Sequence, residues 1–319
     1  MRAVRYDDHG GPEVLTVEDV ERPEPGHGEV LVRVGAAGVN PVDTYFREGE
    51  YPVPELPWTP GSDAAGVVEA VGPGVEAFAE GDRVFATGLG NWNQGTCAEY
   101  VRVPSDYTAA LPDGCSSEEG AALGLVGVTA WQAFVHHASL EPAERVLIHS
   151  GSGGVGHVAV QLAAAMGARV TTTASPGYHE TLRALGADVV LDYARPDLGD
   201  AVTEAGAPDV VLDTLANEYA ELDFEVAAPD GRVIAIGNTA PTAPVPMGPG
   251  KSKDLRFQVM SMYNTPDTGA VLSRLGTLLA AGEVVPEVAR TYSLAETVEA
   301  QRAVLEESFL GKLVVLPGA

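Results

Sequence analysis

Arg145-Val-Leu-Ile-His-Ser-Gly-Ser-Gly-Gly-Val-Gly156 is the stretch that decides how this 319-residue chain is read. Its first residues, Arg145-Val-Leu-Ile148, are a short apolar run of strand type. Past the glycines, Val158, Leu162 and Met166 recur at helical spacing, and Gly167 closes the segment. Ala168-Arg-Val-Thr-Thr-Thr173 is then a second, β-branched strand. Strand, glycine turn, helix, strand is the context in which such a turn binds a dinucleotide. Glycines let the backbone turn sharply and approach a pyrophosphate, while free N–H groups at the helix start hold its negative charge. Ser150, Gly153, Gly154, Val155 and Gly156 are the residues so placed. Charge agrees: 45 of 319 residues are Asp or Glu, yet Arg145 to His179 contains none. Buried strands exclude charge anyway, but so long a gap also suits a surface on which an anion lies.

The end of the second strand bears on the choice of cofactor. NAD sites place an Asp or Glu there to bind the ribose 2′-hydroxyl. Here that end is Thr173-Ala-Ser-Pro-Gly-Tyr178, without a carboxylate. NADP(H) is therefore favoured, its extra phosphate resting on Ser175 and the N–H groups of the helix begun by Pro176. Ser175 before Pro176 also reads as an N-cap. His149, just ahead of the turn, reads either as a pyrophosphate contact or as a strand-end residue.

Length allows two domains with substantial cores. No apolar run reaches membrane-spanning length, and Met1-Arg-Ala-Val-Arg-Tyr6 lacks a signal-peptide core, so a cytoplasmic protein is expected. Two cysteines, Cys97 and Cys115, are too few for a disulfide framework or a four-cysteine zinc site. A net charge of −26 opposes nucleic-acid binding. Lys occurs only at 251, 253 and 312, and carboxylates are spread over most helices. This pattern suggests adaptation to high internal salt, which screens the self-repulsion of such a surface.

Residues 1–123 read as an all-β unit, with short strands such as Val14–Val17, Glu29–Val34 and Ala65–Val71 between Pro- and Gly-rich turns. That spacing suits a partly open barrel. Residues 124–267 alternate helix and strand. Near-continuous apolar strands at Asp188–Leu191, Asp209–Asp213, Gly231–Gly237 and Arg256–Met262 fit a doubly wound parallel sheet covered on both faces. Residues 268–319, with helices at Thr268–Ala281 and Leu294–Glu307 and a strand at Lys312–Leu316, are expected to return to the first unit. The fold class is thus α/β: a Rossmann-type domain inserted in a β-barrel domain.

Gly38-Val-Asn-Pro-Val-Asp-Thr-Tyr-Phe-Arg47 gathers the polar groups Asn40, Asp43, Tyr45 and Arg47 between apolar segments. Composition alone reads it as a capped helical turn, with Asn40 as N-cap and Pro41 at the first helical position. Taken with Pro60-Gly-Ser-Asp-Ala-Ala-Gly-Val-Val68, Gly81-Asp-Arg-Val84, Ala98-Glu-Tyr100, Gly127-Val-Thr-Ala130, Gly153-Gly-Val-Gly156, Leu185-Gly-Ala-Asp188, Asp192-Tyr193, Gly237-Asn238 and Gly311-Lys-Leu-Val314, it resembles one family over nearly the full length. The family is the zinc-free quinone oxidoreductase (zeta-crystallin-like) branch of the medium-chain dehydrogenase/reductase superfamily, whose β-unit is GroES-like.

The resemblance implies no metal. Zinc-dependent members carry Cys where Asn40 stands and a His-Glu pair at Ser62-Asp63, and amide and hydroxyl oxygens are poor zinc ligands beside thiolate and imidazole. It implies an acceptor that is intrinsically electrophilic, a quinone or α,β-unsaturated carbonyl, reduced by direct hydride transfer from NADPH. Asn40, Asp43, Tyr45 and Arg47 are then expected at the nicotinamide end of an interdomain cleft. There Tyr45 would donate a proton, Asn40 would orient ring or substrate, and Asp43 would hold Arg47. Cofactor contacts carried over in the same way are Thr129, Tyr193 near the adenosine, Gly237 and Asn238 along the nicotinamide, and Lys312 toward the pyrophosphate. Tyr178 stands near the 2′-phosphate, where bacterial relatives often have Lys. A homodimer paired through Arg256–Met262 is expected as well. Alternatives left open are an enoyl-thioester (acryloyl-CoA-like) reductase and a non-catalytic NADPH-binding protein of crystallin type.

Overall fold

The computed structural model describes residues 1–319. The chain forms two compact units, Met1–Val128 with Pro266–Ala319, and Thr129–Thr265. The first boundary falls inside a continuous helix, so no turn signal in the sequence marks it.

The first unit opens with an antiparallel pair, β1 (Arg2–Arg5) and β2 (Thr16–Asp19). The strand expected from Val14 starts two residues later, because Pro12–Val14 is a 3-10 turn. Then come β3 (Glu29–Val39), α1 (Pro41–Glu48), β4 (Asp63–Val71), β5 (Arg83–Ala86), β6 (Tyr100–Pro104), β7 (Thr108–Ala110) and α2 (Ser117–Trp131). β3 is the spine. Its antiparallel register runs from Val30 opposite Val71 to Gly38 opposite Asp63 on β4, and β6 pairs with it too. From Ala36 to Val39 every residue is buried, so this end is covered on both faces. Val30, Val32, Val34, Val84, Val101, Val103, Leu313 and Val315 form the core, each contributing about 1.5–3 kcal/mol by burial.

The second unit is a run of βα repeats: β8 (Arg145–Ile148), α3 (Gly154–Ala165), β9 (Arg169–Ala174), α4 (His179–Ala184), β10 (Val189–Asp192), α5 (Leu198–Ala205), β11 (Val210–Asp213), α6 (Ala216–Val226), β12 (Arg232–Ala235), α7 (Met247–Lys253) and β13 (Arg256–Val259). All six strands are parallel, in the order β10-β9-β8-β11-β12-β13. The order reverses between β8 and β11, and in such sheets ligands bind beyond the strand ends at this switch point. The glycine turn leaves β8 there, beside the segment leaving β11. β13 stops at Val259 rather than Met262, since Met262–Asn264 is a 3-10 turn.

The chain then returns to the first unit through α8 (Thr268–Ala280), β14 (Val288–Ser293), α9 (Thr297–Glu306) and β15 (Lys312–Leu316). β15 pairs antiparallel with β3, Leu313 opposite Val39, and completes the sheet β14-β15-β3-β4-β5-β7.

Candidate functional site

In the second unit the turn has the geometry that an anion needs. α3 begins at Gly154 with Gly153 as its N-cap, so the N–H groups of Gly154, Val155 and Gly156 have no carbonyl behind them in the helix. A side chain at two positions would destroy this approach. A Cβ on Gly151 would lie 2.1 Å from Thr172 Oγ1, and one on Gly156 would lie 2.1 Å from Ser150 O. Ser150 is a non-glycine at φ 56°. Its left-handed backbone costs about 1 kcal/mol and is held from two sides. Its N–H donates to Thr173 Oγ1 (3.2 Å), and Thr214 Oγ1 donates to its Oγ (2.9 Å).

Ser175 has the extended backbone of an N-cap, with Pro176 next, but its hydroxyl makes no capping bond. The cap is therefore made by the backbone alone, and the oxygen is left for another partner. Tyr178 is half-buried, whereas Tyr193 is 50% exposed. Thr129 is buried. Gly237 passes so close to Thr214 O that a Cβ would come within 2.4 Å of it, and Asn238 is exposed, its Nδ2 bonded to Ala240 O (2.8 Å). His149 does not face the turn's open side. It is fully buried, donates or accepts at 2.8 Å with Asp223, and stacks on Tyr219. His136 is exposed and His137 half-buried, in a π-helical turn.

In the first unit Asn40 caps α1 as its sequence indicates, with Asp43 Oδ2 accepting the Asn40 N–H at 2.9 Å. A buried polar network extends from this cap. Lys312 Nζ donates to Val39 O (2.6 Å) and Asn40 Oδ1 (2.5 Å) and lies 4.0 Å from Asp63 Oδ2. Asn40 Nδ2 donates to Asp63 Oδ2 (2.8 Å), while Thr87 Oγ1 and Leu125 N donate to Asp63 Oδ1 (2.6 and 2.7 Å). Ser62 Oγ donates to Asp43 Oδ1 (2.6 Å). Burial pushes the Asp43 carboxyl up to about 7 despite the bonds from Ser62 and Asn40, with the charge of Asp63 adding to the rise. Burial likewise raises Asp63 and lowers the Lys312 ammonium, in each case against the pull of the other.

Two expectations are corrected by these bonds. Asp43 does not hold Arg47: the guanidinium, 1% exposed, donates to Gly10 O (2.9 Å), Gln301 Oε1 (2.5 Å) and Glu48. The Lys312 ammonium is turned inward to Asn40 and Val39, with its side chain buried in the first unit rather than extended toward a phosphate. Of the four residues on α1 and its cap, only Tyr45 is less than fully buried. Its ring meets Tyr51 edge-on at 5.9 Å. Burial, then the charges of Glu50, Tyr51 and Glu48, raise its hydroxyl, so it stays protonated and can donate. Asp63, Thr87 and Gln301 were not legible as partners in the sequence; the one available signal was the Ser62-Asp63 pair between Gly61 and Gly66 in the 60–68 segment.

The residues do not fit zinc. At the cap the donors are an amide, a hydroxyl and a carboxylate, and an ammonium already sits on the amide oxygen. No group of three or more His, Cys, Asp or Glu that could hold a metal ion occurs in the chain. Nor is any helix long and apolar enough to cross a membrane.

Comparison with known proteins agrees with this architecture. Residues 26–113 match the alcohol dehydrogenase GroES-like domain, and residues 185–315 match the family described as zinc-binding dehydrogenase. The mouse (Mus musculus) quinone oxidoreductase is 35% identical over 333 residues, covering 99% of this chain and 98% of its own. A crystal structure of an NAD-dependent alcohol dehydrogenase superposes with a TM-score of 0.92 at 34% identity, covering 99% of both chains. The Escherichia coli quinone oxidoreductase complexed with NADPH superposes with a TM-score of 0.88 at 28% identity, covering 99% of this chain and all of that one. The expected GroES-like and Rossmann-type α/β architecture is met. This chain is an oxidoreductase of the medium-chain dehydrogenase/reductase superfamily and belongs to its quinone oxidoreductase family.

Proposed function

We propose that the protein is a cytoplasmic NADPH-dependent quinone oxidoreductase that reduces a quinone or activated α,β-unsaturated carbonyl without metal. The observation that carries this reading is the filled cation position in the first unit. The Lys312 ammonium occupies the amide oxygen of Asn40, beside Asp63, with donors that suit no zinc ion. A substrate that is itself electrophilic needs no Lewis acid.

NADPH, when bound, supplies the hydride. The N–H groups of Gly154, Val155 and Gly156 hold the pyrophosphate at the end of β8. Ser175 takes the 2′-phosphate with a hydroxyl not committed to capping, and Tyr178 and Tyr193 flank that end. NADPH is preferred to NADH because no carboxylate lies between Thr173 and Tyr178. Thr129, Gly237 and Asn238 line the nicotinamide end. Tyr45 donates a hydrogen bond or proton to the oxygen on which charge develops. Asn40, Asp43, Arg47 and Lys312 act behind it, fixing α1 and its cap through the buried network. The open edge of β13, where Val259 is 68% exposed, pairs with a second copy to form a homodimer.

Purified protein incubated with NADPH and an ortho-quinone tests the reading through loss of nicotinamide absorbance. Turnover that needs added zinc, or faster oxidation of NADH than of NADPH, overturns it.

A further inference from the structure

Beneath the glycine turn lie three fully buried ionisable side chains for which the proposed reaction has no use: His149 at the end of β8, Asp213 at the end of β11, and Asp223 on α6. His149 Nε2 is 2.8 Å from Asp223 Oδ1, and the ring stacks on Tyr219 with centroids 4.2 Å apart and planes 4° from parallel. Asp213 and Asp223 are close enough for a side-chain hydrogen bond, yet the second oxygen of each has no donor. One proton between the two carboxyls closes this arrangement. Without it, two carboxylates repel in a medium of low dielectric.

Both arms of the cluster connect to Ser150, the strained residue that starts the turn, one through hydrogen bonds alone and the other through a hydrogen bond and the backbone of Thr214 and Leu215. On one side His149 Nδ1 lies 3.4 Å from Thr173 Oγ1, which accepts the Ser150 N–H. On the other, Asp213 Oδ1 accepts Leu215 N–H at 2.8 Å and so orders the segment after β11. In that segment Thr214 donates to Ser150 Oγ. The ionisable groups facing the cluster are Tyr219 and Glu218 of α6 and Tyr193, the last two acting through Tyr219. His149 is the group on which Asp213 and Asp223 both act.

We propose that His149, Asp213 and Asp223 form a proton-holding mount for the glycine turn, and that release of its proton weakens binding of the dinucleotide pyrophosphate. This rests on the reading of the turn as the NADPH site. The mechanism is like-charge repulsion. An anion on the turn makes a second negative charge below it more costly, and by reciprocity that charge makes the anion bind less well. Burial, together with the charge of Asp223, holds the Asp213 carboxyl up at about 7, so the loss of affinity begins near neutral pH. One coupled proton limits it to about tenfold per pH unit.

The test is NADPH binding, followed by nucleotide fluorescence in the absence of quinone, across roughly pH 6 to 9. The wild type is compared with Asp213→Asn, whose amide keeps the acceptor for Leu215 N–H and permanently donates to Asp223. Comparing both proteins with the same ligand cancels ionisation of the 2′-phosphate. Affinity of the wild type should fall above neutrality while that of Asp213→Asn stays flat, so the variant binds several-fold tighter at the alkaline end. A gain of affinity cannot come from damage to the fold. Thr173→Val, which cuts the arm from His149 to Ser150, should weaken binding at every pH. Parallel, superimposable profiles for the wild type and Asp213→Asn overturn the proposal while leaving the NADPH site intact. Absence of NADPH binding in the wild type at any pH overturns both.

Discussion

Lys312→Met is the most informative single change in the first unit. It removes an ammonium that donates to Val39 O and Asn40 Oδ1 and lies 4.0 Å from Asp63. Asp63 stays fully buried and keeps three neutral donors, from Asn40, Thr87 and Leu125. Removing one partner of a buried ion pair costs about 3–5 kcal/mol. Since those donors remain, the lower end applies, about 3 kcal/mol. At about 2 °C per kcal/mol for a chain of this size, the melting temperature should drop by roughly 6 °C. The penalty depends on pH with a definite sign. Burial already raises the Asp63 carboxyl, and Lys312 is the strongest influence lowering it. Without Lys312 it rises further, so in the folded variant Asp63 holds a proton that the unfolded chain has released. A raised carboxyl contributes stability that is present below its unfolded pKa and lost as pH rises through its folded one. The deficit should therefore be largest at mildly alkaline pH and shrink toward about pH 5. Chemical denaturation of the NADPH-free protein measures it. A deficit below about 1 kcal/mol, or one equal at acid and alkaline pH, would refute the buried-pair account. Unchanged stability with weakened NADPH binding would show instead that Lys312 serves the cofactor directly.

Tyr45→Phe should lower kcat with a quinone by about a hundredfold and leave the KM for NADPH nearly unchanged; an unaltered kcat would remove Tyr45 as proton donor. The Asp43 carboxyl, raised from 3.8 to about 7, contributes stability that is present below about pH 4 and lost as pH rises through about 7. Asp43→Asn should flatten that part of the stability profile, and an identical slope in both proteins would count against it. With a net charge of −26, the melting temperature should climb between dilute buffer and molar KCl as self-repulsion is screened; equal values would end the case for adaptation to salt. Val259→Asp on the open β13 edge should convert the proposed dimer to a monomer in size-exclusion chromatography with light scattering, and a mass equal to that of the wild type would count against pairing through this edge.

The sequence by itself determined the second unit and the place of its turn. Those signals are local: apolar runs for strands buried on both faces, the run of glycines that follows the first of them, and helical spacing after Gly156. It also fixed the Asn40–Pro41 cap, whose partner Asp43 is three residues away. The roles of charged side chains around that cap were decided by the tertiary structure alone. The register that sets Leu313 opposite Val39 carries Lys312 to Asn40 across 272 residues of chain. α9 brings Gln301 to Arg47, so Arg47 never needs Asp43. β8, β11 and α6 converge to bury His149 with Asp213 and Asp223. Periodicity tells which face of an element is buried, but a buried charge takes whichever partner the register and packing bring to it, and no local pattern encodes that choice.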